Sequence, residues 1–280
     1  MIFRSSVPAA VLVVLGISCA QASVPAQGSA RIAQAGARAG AQSEGRAIVA
    51  DPFRDQIFPY LSDGNGWSTN FVFTNLDKHS IVVHLEFSAD DGSFLRLPVN
   101  GIGTTDAVDI TIATGGSFSL RTAGAAANRT TGYAFTEAKN LTDLYSGYAV
   151  VRNVANGLPD LEFTVPLAPI DENFFTLAFD NTNGYATFAA LINSSVDKDA
   201  NVVATIQDQD GNVLSTDRIT VAPFGRFQFN LADRYPQADK IVGTIAFSAS
   251  GTQFVTGIGL RSGPNQSLTV IPPFSLKAKP

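Results

Sequence analysis

Sulfur is nearly absent from this 280-residue chain, which has one cysteine, Cys19, and one methionine. A single cysteine rules out an internal disulfide framework, a Cys-x-x-Cys redox pair and a thiolate zinc cluster. Histidine is almost as scarce, with two residues, and neither a His-Glu-x-x-His zinc motif nor a Gly-x-Ser-x-Gly nucleophile elbow occurs. Serine-hydrolase and zinc-protease chemistry therefore have no support. Charge is thin as well. Only 15% of residues are ionic and the net charge is −5, a balance that repels phosphate backbones and argues against nucleic acid as a partner. No membrane span is expected, because the one continuous apolar run, Val7 to Ile17, falls well short of the ~20 residues a spanning helix needs.

That run has its own meaning. Arg4 before it and Ala20-Gln21-Ala22 after it complete the charged, apolar and small-residue order of an export signal. Residues 1–22 are expected to be removed, leaving a secreted mature chain that begins at Ser23. The rival reading makes Cys19 the lipidated first residue of a bacterial lipoprotein; Ile17 and Ser18 suit it, but Gly16 stands where such signals carry leucine. Residues 23–47 are rich in Ala, Gly, Gln and Ser and carry Arg31, Arg38 and Arg46 against Glu44. They read as a short flexible tether rather than a basic arm. The chain's −5 becomes −6 without Arg4 and −8 without the tether's net +2, so the remainder is acidic.

That remainder is written twice. Trp67 leads eight residues on to Asn75, followed by Asp91-Gly92, Gly116, Gly132, Gly147, Arg152 and Thr164-Val165-Pro166. Tyr185 leads eight residues on to Asn193, followed by Asp210-Gly211, Gly225, Gly243, Gly257, Arg261 and Thr269-Val270-Ile271-Pro272. A long internal repeat implies two copies of one folding unit. One interval differs strongly, 24 residues from Gly92 to Gly116 against 14 from Gly211 to Gly225. The first copy is therefore expected to carry an insertion around Pro98 to Asp106, as a longer surface loop.

Within each copy, short runs alternate apolar and polar residues. Asn70 to Asn75, Ile81 to Phe87, Val202 to Ile206, Phe227 to Phe229 and Gly243 to Ser248 are rich in branched and aromatic side chains and predict half-buried strands. The Asp-Gly pairs predict tight turns, and no sustained apolar stripe at helical spacing appears. The fold class is all-β: two tandem immunoglobulin- or fibronectin-like antiparallel β-sandwiches, residues 48–170 and 171–280, after the signal and the tether. Trp67 and Tyr185, opening equivalent strands, are expected to close one end of each core. Asn75 and Asn193 are expected to bond the turns that follow them. Pro166, Pro169, Asp171 and Glu172 mark the linker, and Phe174-Phe175 beside it are expected to pack between the sandwiches.

The segment Phe58-Pro59-Tyr60-Leu61-Ser62-Asp63-Gly64-Asn65-Gly66-Trp67-Ser68-Thr69, with the strand ending in Asn75 and the later Asp91-Gly92, resembles an uncharacterised group of secreted proteins from environmental bacteria. Their corresponding segment runs from Phe-Pro through a glycine-rich Asp-Gly turn to Trp, Thr and a strand ending in Asn. The resemblance is clearest over residues 57–92. It implies a secreted pair of β-sandwiches and brings no activity or catalytic residue with it. The second copy departs from the pattern, with Asp180-Asn181-Thr182-Asn183-Gly184-Tyr185 in place of the Asp-Gly-Trp turn.

Chemistry is hard to find. His79 stands in a polar turn, Asp77-Lys78-His79-Ser80, and His84 shares a strand face with Glu86, as exposed cross-strand neighbours commonly do. Turns at Asp63-Gly64-Asn65, Asp180 to Gly184, Asp197 to Asp199 and Asp208 to Asn212 gather oxygens that suit calcium, but none has the helix-loop-helix pattern with its terminal bidentate glutamate. No catalytic residue, metal or cofactor is expected. The reading is a secreted or cell-surface, non-enzymatic protein with a binding, adhesion or extracellular structural role, whose partner is a glycan or another protein. Its first alternative is a carbohydrate-binding module acting through Trp67 and the neighbouring Asp63 and Asn65. The second is a hydrolase with two unrecognised carboxylates.

Overall fold

The computed structural model describes residues 32–33, 55–140, 142–154, 160–170, 173–250, 253–265 and 267–275. Residues 1–22, read as an export signal and including Cys19, nearly all of residues 23–47, read as a tether, and Asp171 and Glu172 at the expected boundary lie outside the described residues. The first half comprises β1 (Ile32–Ala33), β2 (Asp55–Asp63), β3 (Trp67–Asn75), β4 (Ile81–Ser88), β5 (Leu97–Val99), β6 (Gly103–Thr105), β7 (Ala107–Ile112), β8 (Ser117–Arg121), β9 (Thr130–Ala138), β10 (Tyr145–Asn153), β11 (Leu161–Pro166) and β12 (Ala168–Pro169). The second comprises β13 (Phe174–Asp180), β14 (Ala186–Asn193), β15 (Ala200–Asp208), β16 (Val213–Val221), β17 (Arg226–Asn230), a single helical turn α1 (Leu231–Arg234), β18 (Val242–Ala249), β19 (Val255–Ser262) and β20 (Leu268–Ile271).

The expected all-β sandwich is what forms. In the first half a sheet of order β1-β7-β4-β9-β2-β12 packs against one of order β11-β10-β3-β8, and in the second β13-β18-β15-β16 packs against β17-β14-β19-β20. Leaving out β1, β12 and the β5–β6 hairpin, both halves have eight strands in the same order. The second strand of each half pairs with the fifth and the third with the sixth, as in an immunoglobulin sandwich. The first strand, however, lies beside the sixth, the fourth beside the third and the seventh beside the second, so these three strands have changed sheets relative to the constant-type immunoglobulin order.

Alternation along the strands explains the cores. On β4, Ile81, Val83, Leu85 and Phe87 point inward and are at most 1% exposed. They meet the aromatic residues of β2 and β3, where Phe58 and Phe71 lie 5.2 Å apart and Phe71 and Phe87 5.7 Å. The second core is built around Phe175 and Phe247, with ring centroids 5.0 Å apart. Phe175 thus belongs to that core and does not join the halves, because alternation on β13 turns it inward with Leu177 and Phe179. The expected insertion is the β5–β6 hairpin. It is more than a surface loop, since Leu97 and Val99 are buried against the first core and Val99 bridges to Thr122. Each such burial contributes about 1.5–3 kcal/mol.

The recurring residues have matching surroundings in the two halves. Asn75 accepts from the Asp77 amide at 2.7 Å and donates to the carbonyls of His79, Ile112 and Ala113. Asn193 accepts from the Ser195 amide at 2.9 Å and donates to the carbonyls of Lys198, Val221 and Ala222. One buried amide therefore orders the turn after its own strand and ties it to the opposite sheet. The strand glycines match as well. A Cβ on Gly132 would lie 2.2 Å from the Ser88 carbonyl oxygen, and one on Gly243 would lie 2.1 Å from that of Gln207.

His84 is opposite Asp109 in register, with Nδ1 2.6 Å from Oδ1, and its Nε2 is 4.0 Å from a Glu86 carboxylate oxygen. Glu86, and then Asp109 at the shorter distance, raise the imidazole pKa above its ordinary 6.5 against the opposing effect of burial. A raised folded-state pKa stabilises the fold fully below the unfolded value, and that contribution disappears as pH rises through the folded value. His84→Gln is therefore expected to cost about 1 kcal/mol near pH 5 and almost nothing near pH 9. Urea unfolding at both pH values measures this, and an equal cost at the two would contradict it.

Candidate functional site

The two sheet pairs meet along a face of β2 and β9 that would otherwise be solvated. Ile57, Tyr133, Phe135, Ala168 and Ile170 of the first half cluster with Ile192 of the second. β2 has a register shift between Phe58 and Leu61, and its residues from Ile57 to Asp63 are all buried. One side of the strand thus serves its own core and the other the junction.

Arg226, the first residue of β17, fastens this junction. Its side chain has no solvent exposure. Its Nε donates to Asp90 Oδ1 at 2.9 Å and another guanidinium nitrogen donates to the Gly132 carbonyl at 2.7 Å. A third bond, of 3.3 Å, reaches Gln228 Oε1, and the guanidinium lies 5.1 Å from the Tyr60 ring centroid. Burial pulls the arginine's pKa down and the Asp90 carboxylate opposes that pull, so the pair balances a charge that water cannot reach. Beside it the buried Tyr133 hydroxyl donates to the Phe224 carbonyl at 2.6 Å, and burial pushes its pKa above the ordinary range. The Asp91-Gly92 turn is pressed against the second half: a Cβ on Gly92, at φ 84°, would lie 2.7 Å from the Pro223 carbonyl oxygen.

Next to this fastening a cleft of about 730 Å³ opens between the halves. Tyr60, Trp67 and Arg129 line it from the first half, and Phe188, Gln228 and Asp233 from the second. Arg129 is held by Ser62 Oγ at 2.9 Å and by the Tyr60 hydroxyl, with its guanidinium carbon 3.9 Å above the Trp67 ring. That stacking leaves Trp67 only 8% exposed, whereas Phe188 on the opposite wall is 40% exposed. Asn230, also in the lining, caps α1 by accepting from the Ala232 amide at 3.1 Å. Gln228 is oriented by Arg226. One wall residue, Gln228, is thus held by the arginine that fastens the junction.

Of the three residues singled out from sequence, Trp67 lines the cleft. Asp63 is 2% exposed and accepts from the Gly124 amide at 2.8 Å, which makes it an internal turn anchor. Asn65, exposed, and Gly66 are the two central residues of the turn between β2 and β3, with φ of 50° and 82°. Reciprocal bonds of 2.9 and 3.0 Å join Gly64 and Trp67 across it. An Asn-Gly pair suits such a turn because both positions need positive φ. The same solution recurs at Asn183-Gly184, with φ of 53° and 78°, so the second half keeps the turn although the residues before it differ. Tyr185 after it carries Arg261 3.5 Å from its ring centroid. The sequence reading missed Phe188, Gln228, Asn230 and Asp233. A signal for this wall was present in Ala189-Ala190-Leu191-Ile192, a run that is apolar without alternation and buried throughout, as strands covered on both faces are.

Comparison of the chain with protein-family models, with curated proteins and with solved structures gave no match.

Proposed function

We propose that the protein is an exported, non-enzymatic binding protein, built from two copies of one sandwich unit, that holds its ligand in the cleft between them. The cleft carries this reading: its volume of about 730 Å³ lies in the ~300–1,000 Å³ range of small-ligand sites, and its walls come from both halves. A fixed junction keeps those walls in place before a ligand arrives, which lowers the cost of binding. A saccharide suits the lining best. Phe188 offers an exposed ring for the apolar face of a pyranose, while Gln228, Asn230, Asp233 and Arg129 offer donors and acceptors for its hydroxyls. This moves the weight of the carbohydrate reading from the turn at Asp63 and Asn65 to the cleft that Trp67 lines. The hydrolase reading has less support, since two facing carboxylates are needed and Asp233 is the one carboxylate among the described residues of the lining.

The test is a screen of the chain from Ser23 against a glycan array and insoluble polysaccharides, with and without calcium. Phe188→Ala is the informative variant, because the side chain is exposed and its loss leaves both cores intact. Binding of a glycan by the wild type, reduced about tenfold or more by Phe188→Ala and by Gln228→Ala, is the expected result. Glycan binding unchanged in both variants would place the site elsewhere, and a negative screen would direct the search to protein partners.

A further inference from the structure

At the end of the first sheet pair, the connection between β3 and β4 meets the one between β9 and β10. There Asp77, His79 and Asp143 bring one ligand atom each within 4.8 Å of one another. His79 Nε2 lies 3.0 Å from Asp143 Oδ1, with the aspartate side chain fully buried and the histidine 54% exposed. Asn140 donates to the other Asp143 oxygen at 3.0 Å, and the Leu144 amide donates to Asp77 Oδ2. Two carboxylates thus stand beside one imidazole. Among the described residues no lysine or arginine forms an ion pair with either of them. A buried carboxylate needs hydrogen bonds, a cation or a metal, and Asp143 has an imidazole on one oxygen and an amide on the other.

The second half provides an internal control. Its Asn193 bracket matches that of Asn75, so that Ser195 stands where Asp77 does and Lys198 where His79 does. Leu76 donates to the Leu144 carbonyl as Ser194 does to the Phe254 carbonyl, which puts Gln253 in the place of Asp143. Corresponding bonds therefore form around serine, lysine and glutamine, although the β14–β15 connection is one residue longer than the β3–β4 one. The asparagine-centred bonds form without the aspartate, histidine and aspartate, and among the described residues such a trio occurs at one end of one half.

We propose that Asp77, His79 and Asp143 bind a divalent transition-metal ion, of which Zn²⁺ is the reference case, through one imidazole nitrogen and two carboxylate oxygens. An imidazole ligand selects against calcium and magnesium, which take oxygen, and suits zinc and its neighbours. Zinc bonds of about 2.0–2.2 Å in tetrahedral geometry place ligand atoms about 3.3 Å apart, close to the existing His79–Asp143 separation of 3.0 Å. Asp77, whose ligand oxygen lies within 4.8 Å of the other two atoms, completes the set. The ion's two positive charges cancel those of the carboxylates and clamp the two connections together.

The test uses tag-free chain from Ser23, stripped with a chelator and titrated with Zn²⁺ by calorimetry, with Co²⁺ absorption as a report on the ligand set. One ion per chain at micromolar Kd, a higher Tm with metal, and no competition by Ca²⁺ are expected. His79→Ala, at a half-exposed position that leaves the fold intact, should weaken binding about tenfold or more, and Lys198→Ala at the matching place in the second half should leave it unchanged. No saturable Zn²⁺ binding up to about 1 mM, or binding that His79→Ala does not alter, would overturn the assignment.

Discussion

Arg226→Ala is expected to destabilise the folded chain by about 3–4 kcal/mol. The substitution leaves the Gly132 carbonyl without its 2.7 Å donor in a place water does not reach, and it empties the space that the guanidinium fills beside Tyr60. An orphaned buried acceptor costs about 1–3 kcal/mol and the lost packing adds to it. Asp90, 40% exposed, returns to water at little cost. Arg226→Lys should recover only part of the loss, because an ammonium cannot reach Asp90, Gly132 and Gln228 in the forked geometry that holds all three. Chemical denaturation of the three proteins measures the series. A loss below about 1 kcal/mol for the alanine variant would mean that the junction is held by its apolar contacts alone.

Gly243→Ala should cost about 3 kcal/mol or more, although it adds a single methyl group. The new Cβ would stand 2.1 Å from the Gln207 carbonyl oxygen and 2.8 Å from the Phe179 ring. Backbone on one side and a core ring on the other cannot both retreat without opening the β15–β18 ladder. Gly211→Ala is the comparison. That glycine has open space around its missing side chain and a φ of 83°, so its replacement costs only the left-handed backbone penalty of about 1–2 kcal/mol. Thermal unfolding of both variants separates the steric cost from the conformational one. Similar shifts in Tm would show that strand contact at Gly243 relaxes more freely than the geometry implies.

Strands were the most legible feature, because alternation is a property of local sequence. Ile81 to Phe87 states in its own side chains which face is buried, and the structure agrees. Asn75 and Asn193 are recognisable from sequence as turn-bonding residues. Their reach to the opposite sheet, at Ile112 and Val221, is not visible in the sequence because those partners lie 37 and 28 residues away. The glycines at 132, 147, 243 and 257 were seen as recurring, but their role is close approach between strands rather than turning, and closeness is a three-dimensional quantity. The cleft was least legible. It depends on how two sheet pairs are apposed, and that depends on Arg226, which in the sequence looks like any arginine at the start of a strand. Asp143 was overlooked for a similar reason: His79 and Asp77 are neighbours in the chain, whereas the third member arrives from a connection more than sixty residues later.

The two-sided burial of β2 and β9 has a consequence for how the chain is handled and how it is built. A protein cut between the halves would turn Ile57, Tyr133, Phe135 and Ile170 outward as a greasy seam and leave Asp90 without its arginine. Such fragments stick to one another or to anything apolar nearby. The halves are a matched couple, and neither is a portable module. Tolerance for change therefore lies at the far ends of the sandwiches, away from the seam, and both halves must mature together for either to stay in solution.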